Sequence, residues 1–181
     1  MPKHIKLNVE GHRFLDTTTN DKNKEELVVC EDVTSVVLPT LEHPTTSIEN
    51  VSGMAMDMDM PNTTRYKAAE YSVAHNNGKN CHLLARPGMH KQEFRVARQD
   101  FKNKGAEVSF EGVKYRMHGF FASVEKGTVE TGNPLGSTAK YKLKRYEEIV
   151  DGTQTMLVDA TTGELTVNGV SYTQDLESLL K

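Results

Sequence analysis

Apolar and polar residues alternate along most of this chain with a period of two, the pattern of strands that bury one face and wet the other. Ile5, Leu7 and Val9 stand between polar neighbours in HIKLNVEGHRFL, residues 4–15, which predicts two short strands around Glu10-Gly11. Two β-branched runs, LVVC and VTSVVLP, follow, and Pro39 and Pro44 then interrupt the chain. Neither proline can donate a ladder hydrogen bond. In MAMDMDM, Met54, Met56, Met58 and Met60 fall on one face of a strand and Ala55, Asp57 and Asp59 on the other. A helix would scatter both residue types around its axis, so a strand is expected, with KAAEYSVAH at 67–75 as its hairpin partner. Strands resume in QEFRVARQDF (92–101) and AEVSFEGVKYRMHGFFASVE (106–125), where Val113, Tyr115 and Met117 alternate with Lys114, Arg116 and His118. STAKYKLKRYEEIVDG (137–152) alternates again, and residues 154–172 read as a hairpin turning at Thr162-Gly163.

Three stretches break the pattern. Residues 16–26, DTTTNDKNKEE, hold no apolar side chain and are expected as a mobile polar loop. NNGKNCHLLARPG, closed by Arg86-Pro87-Gly88, is the best internal helix candidate. Thr173 is a suitable N-cap for a terminal helix that would set Leu176, Leu179 and Leu180 on one face. The expected fold is mostly β: an antiparallel β-sandwich or barrel with one short internal helix and a short C-terminal helix. It is expected as a single domain over residues 1–181 with a polar loop insertion at 16–26.

Composition narrows the function. Of the 181 residues, 36% are hydrophobic and 26% charged, which suits a soluble chain with one core. The formal net charge of -3 gives no electrostatic basis for general nucleic-acid binding. No apolar run reaches the roughly 18 residues of a membrane span, so no membrane anchor is expected. The opening MPKHIKLNVEG lacks an apolar signal core, so classical secretion is not expected either.

Candidate chemistry is sparse. Neither GxxxxGK, GxGxxG, GxSxG nor HExxH occurs, and the histidines at 4, 12, 43, 75, 82, 90 and 118 are scattered. No catalytic, cofactor or metal site is expected, and the chain does not read as an enzyme. Asp57 and Asp59 admit three readings: a solvated strand face, the lining of a water-filled channel, or a carboxylate pair for acid–base work or cation binding. Cys30 and Cys81 read as two free thiols, as a disulfide within or between subunits, or, least suitably, as zinc ligation by Cys81 with His82. The methionine face suits a core or a subunit contact. The basic strands at 114–118 and 140–145 suit sheet edges guarded against unwanted pairing, or contact with acidic neighbours. A carbohydrate- or protein-binding β-sandwich would call for clustered exposed aromatics, yet the chain has no Trp and only 7% aromatics.

In order and spacing the sequence resembles the major tail tube proteins of contractile-tailed phages and R-type bacteriocins. The features are LPTL at 38–41, SGM at 52–54 leading into the acidic alternating strand, HGFFASVEKGTVETGNPLGSTAKYKLKRYEEIVDG at 118–152, and LVDATTGELTVNGVSYTQDLESLL at 157–180. The resemblance runs from about residue 27 to the end; the polar 16–26 stretch and Ser171 after VNGV depart from it. It implies kinship with type VI secretion tubes and a structural role. Six copies would form a ring, with strands joining into one shared ring-shaped β-barrel, and the rings would stack helically into a hollow tube. A sheath would surround the tube, terminator and baseplate proteins would meet its ends, and DNA would pass through without sequence-specific binding. The site would be the virion tail, assembled in the bacterial host cytoplasm. On this reading Asp57, Asp59 and, more weakly, Glu70 line the lumen, where acidic groups repel phosphate. The tube of a bacteriocin or another contractile injection system is the alternative.

Overall fold

The computed structural model describes residues 5–19, 24–49, 56–63, 65–102 and 107–173. Twelve antiparallel strands follow in chain order: β1 (Ile5–Thr19), β2 (Glu25–Cys30), β3 (Val33–Val37), β4 (Thr45–Ile48), β5 (Met58–Pro61), β6 (Glu70–His75), β7 (Met89–Lys102), β8 (Glu107–Glu125), β9 (Ser137–Val150), β10 (Thr153–Asp159), β11 (Glu164–Val167) and β12 (Val170–Ser171). Ten of them form one sheet with the path β12-β11-β10-β9-β8-β7-β1-β2. The sheet branches at β9, where residues 137–142 pair with β6 and residues 145–150 with β10; β6 in turn carries β3. The remaining pair, β4 and β5, is a separate small sheet.

This topology corrects the expected architecture. The branched sheet is open, with edges at β2, β3 and β12 among the described residues, and is neither a closed barrel nor a strand set curled toward a shared ring-shaped barrel. The described residues contain no α-helix. The internal helix expected before Pro87 is a 3-10 helix of five residues, Cys81–Ala85. Asn80 precedes it with φ of 66° and no side-chain cap, and Arg86 leaves it extended, as residues before proline do. The expected terminal helix lies outside the described residues beyond Thr173.

Local chemistry explains other departures. Glu10-Gly11 is no turn: β1 runs through it with register shifts against β7 on either side of Val9. The polar tract at 16–26 is strand at both ends, with Asp16 to Thr19 in register against Val28 to Glu25. The Met-rich segment does not pair with residues 67–75. β5 pairs with β4, while β6 lies between β3 and β9. The β9–β10 hairpin turns at Asp151-Gly152, both with positive φ, the type I′ geometry that matches strand twist.

The core gathers Phe14, Cys30, Val33, Tyr71, Val73, Cys81, Leu84, Met117, Ala139, Tyr141 and Tyr146. Tyr71 and Tyr141 stack at 5.0 Å. Tyr71 lies so close over Gly119 that a Cβ there would sit 2.7 Å from its ring. β8 is irregular against β9 at that point, between His118 and Gly119. The Tyr71 hydroxyl donates to Gln92 Oε1 on β7 at 2.8 Å, tying β6 to a strand two places beyond its partner β9.

Candidate functional site

The face of the main sheet opposite the aromatic core is ruled by charged cross-strand rows. Period two sends Lys91, Glu93 and Arg95 of β7 to the same side as Lys114, Arg116 and His118 of β8. One row reads Leu15, Glu93, Arg116, Glu147, Leu157 across five strands; the next reads Lys91, His118, Arg145, Asp159 across four. Opposite charges sit directly across from each other at Glu93–Arg116–Glu147 and at Arg145–Asp159, the arrangement that stabilises a sheet pair, while Lys91 and Arg145 flank His118. Arg116 Nε donates to Glu93 at 3.0 Å and its Nη1 to Glu147 at 3.4 Å, while Arg95 Nε donates to the other Glu93 oxygen. Arg145 meets Asp159 at 3.4 Å.

The acids lie beneath the bases. Side-chain exposure is 6% for Glu93 and 9% for Asp159, against 43% for Arg116 and 34% for Arg145. Burial alone would push the Glu93 carboxyl up, but hydrogen bonds from Arg116 and Arg95 outweigh it and hold the group below its ordinary value. Asp159 is likewise held low against burial, by the Thr161 and Thr162 backbone N–H groups and by Arg145. Guanidinium groups therefore form the outer skin of a face whose carboxylates are already engaged. Such a face suits contact with water or a polar neighbour and offers no nucleophile or acid–base pair.

The predicted site residues fall in different places. Asp59 is on β5 and accepts from the Ser47 hydroxyl of β4; Asp57 just precedes β5 and is exposed. Glu70 is on the main sheet, exposed, and bound by Lys142. The two aspartates thus share one hairpin, and Glu70 belongs to another sheet. Met56, Met58 and Met60 are exposed, which overturns the core reading for these three. Strands 114–118 and 140–145 are interior to the sheet rather than at an edge, and Arg116, Lys140, Lys142 and Arg145 meet acids of the same chain. Cys30 and Cys81 are buried free thiols. They flank the contact of Glu31 N with Lys79 O, and each faces a backbone carbonyl: Asn80 for Cys30 and Glu31 for Cys81. Burial, with Asp16 nearby, pushes the Cys30 thiol up to about 12. Among the described residues, no three His, Cys, Asp or Glu side chains gather as a metal site. No helix there is long and apolar enough to cross a membrane.

Sequence reasoning missed a buried polar network. Asp16 and His90 have side-chain exposures of 1% and 0%, and their Oδ2 and Nδ1 atoms lie 2.6 Å apart. His90 Nε2 faces the Arg86 carbonyl at 2.8 Å, Gln92 Nε2 donates to Asp16 at 3.3 Å, and Asp16 Oδ1 accepts from Thr17 N. Arg86 reaches back to the Thr17 carbonyl at 3.0 Å. Both His90 nitrogens face acceptors, so satisfying them takes two N–H groups or a proton on Asp16. The network fastens the 3-10 helix and its exit to β1 and β7. Its one trace in the sequence is an aspartate beside threonines, which reads equally as loop.

The profile of the family "Phage tail tube protein FII" matches residues 24–180. The chain belongs to this family. A tail tube protein is a structural subunit of a virion tail, not an enzyme. No curated protein sequence matches the chain. Among solved structures, a chain of the anti-feeding prophage baseplate, determined by cryo-EM and six-fold symmetrised, aligns with TM-score 0.50 and 10% identity over 80% of this chain and 97% of that one. A chain of the anti-feeding prophage tube-terminating cap aligns with TM-score 0.41 and 16% identity over 77% and 87%. The first of these shows a shared fold for the tail tube protein.

Proposed function

We propose that this tail tube protein builds the inner tube of a contractile tail: six copies close a ring, and rings stack helically into a hollow conduit inside a sheath. The observation that carries the reading is the family match over nearly the whole chain, residues 24–180. The six-fold symmetry of the structurally similar baseplate assembly supports a six-membered ring. On this reading the sheath lies outside, terminator and baseplate proteins meet the two tube ends, and the conduit passes phage DNA when the tube crosses the host envelope. The wet face of the sheet suits either wall of such a tube, since it needs no cover from its own chain. Asp57, Asp59 and Glu70 are proposed to face the bore.

Negative-stain microscopy of the purified protein tests the assembly: hollow tubes or six-fold rings are expected, and a compact monomer at every concentration overturns it. For the bore, an Asp57→Cys variant in intact tubes should resist a thiol reagent wider than the conduit. Labelling along the whole outer length removes Asp57 from the lumen. The fold shared with the anti-feeding prophage baseplate chain favours a second reading, the tube of an R-type bacteriocin or another contractile injection system. Nuclease-protected DNA co-purifying with mature particles selects the phage tail.

A further inference from the structure

The β7–β8 hairpin is the longest regular unit in the molecule. Its register runs unbroken from Met89 opposite Phe120 to Lys102 opposite Glu107. Fourteen paired rows at ~3.4 Å each make it roughly 45 Å long. One face of this ribbon, the charged face described above, has three zones. At one end Met89 and Phe120 are opposite each other, 38% and 50% exposed. In the middle are the charged rows Lys91–His118, Glu93–Arg116 and Arg95–Lys114. At the far end Phe110 and Val108 are 68% and 54% exposed.

The far end is an arm. β9 accompanies β8 only as far as Val113, and β2 joins β1 only from Phe14, so the last rows of the hairpin have just the start of β1 beside them. Val108 sits in register with Phe101, and Phe101 with Ile5, so all three strands of the arm are paired there. An arm that holds Phe110 in water has an uncovered apolar surface, and so does the Met89–Phe120 end. The two patches are too far apart along one rigid ribbon to cover each other.

We propose that these two ends are the two halves of one head-to-tail contact, the arm of one copy lying over the Met89–Phe120 end of the next. This rests on the tube reading above, which supplies many identical copies in one orientation. The chemistry selects the pairing. An arm-to-arm contact would be two-fold symmetric, would stop at a dimer, and would leave Met89 and Phe120 in water. A head-to-tail contact covers both patches and leaves a free arm to continue the series. The charged middle of the ribbon then stays at the rim of the contact or in solvent, as its engaged carboxylates allow.

Cysteine cross-linking tests the pairing, because Cys30 and Cys81 are only 3% and 1% exposed and the introduced thiols are the reactive ones. In assembled protein, a short bis-maleimide should convert a Phe110→Cys/Phe120→Cys double variant into a ladder of covalent oligomers. Neither single variant should form dimers. Phe110→Ser, which removes no core contact, should keep the wild-type circular dichroism and raise the concentration at which tubes form by at least tenfold. Efficient dimers from Phe110→Cys alone overturn the proposal in favour of an arm-to-arm contact. Tubes from Phe110→Ser at the wild-type concentration, or no ladder in tubes of the double variant, overturn it while the tube reading stands. If the wild-type protein forms no rings or tubes, the tube reading itself falls and takes this contact with it.

Discussion

Two histidines set the response of the single subunit to acid. His75 is held below its ordinary value by burial and by Lys126, and His118 by burial, Arg145 and Lys91. Geometry agrees for His75, whose Nδ1 accepts from Asn77 N at 3.2 Å and so must be unprotonated. With folded values below the ordinary 6.5, the unfolded chain binds more protons as pH falls, so stability is full above about 6.5 and drops below it. Each histidine can contribute at most about 1.4 kcal/mol per pH unit, and half-buried His118 less. Glu93 and Asp159, also lowered, keep their contribution until pH falls below the ordinary carboxylate range, so the window from pH 7 to 5 belongs to the histidines. Urea midpoints should fall across that window, and His75→Gln with His118→Gln should flatten the slope. The Asp16–His90 pair works by a different route. Asp16→Ala leaves the buried His90 Nδ1 facing no acceptor and should cost about 3–5 kcal/mol. Asp16→Asn, which keeps an acceptor, should cost less, and removing both partners should cost less than the sum of the single changes.

At the level of elements, the long strands were legible and the connections between them were not. Val113, Tyr115 and Met117 alternate with Lys114, Arg116 and His118 in sequence and divide between core and charged face in the structure, because period two is all a strand needs to declare its faces. The same period misleads at Met56, Met58 and Met60. Alternation names a face but not what covers it, and these methionines stand exposed on a hairpin outside the main sheet. Replacing Met58 and Met60 with Ser should therefore leave stability within about 0.5 kcal/mol of wild type, whereas Met117→Ala, fully buried, should cost about 2–5 kcal/mol. The internal helix failed for a local reason: the five residues between Asn80 and Arg86 leave room for one tight turn only. The site was legible in its charges but not in their pairing, since Glu93, Arg116 and Glu147 meet only through registers spanning 23 and 31 residues. The close approach of β6 to β8 was invisible, because it is made by the Tyr71 ring lying on Gly119. Gly119→Ala should displace Tyr71 from Gln92 and lower stability by about 1–3 kcal/mol, read by urea denaturation and by the loss of the Tyr71 contribution to near-ultraviolet dichroism.

Over the whole molecule, stability is unevenly placed, and the unevenness coincides with the proposed contacts. The centre, where β8 lies between β7 and β9 and carries Val113 and Met117, is paired on both edges and backed by the core. The β4–β5 hairpin belongs to no larger sheet, and its described side chains in β5 are exposed throughout. The arm at 107–112 has lost β9 on one side. Amide exchange opens such regions by local fluctuation, at free energies far below that of global unfolding. In the isolated subunit, amides of 113–117 should therefore exchange slowest, at the global limit, while those of 45–48, 58–60 and 107–110 exchange orders of magnitude faster. Assembly changes only what neighbours cover. If the arm of one copy lies on the Met89–Phe120 end of another, tubes should slow exchange at 107–110 and at 89 and 119–121 together. The middle of the same ribbon, already at the limit, should not change. Protection that rises at one end alone would mean the two patches meet different surfaces. Uniform protection along the hairpin would mean that the charged rows, rather than the apolar ends, form the contact.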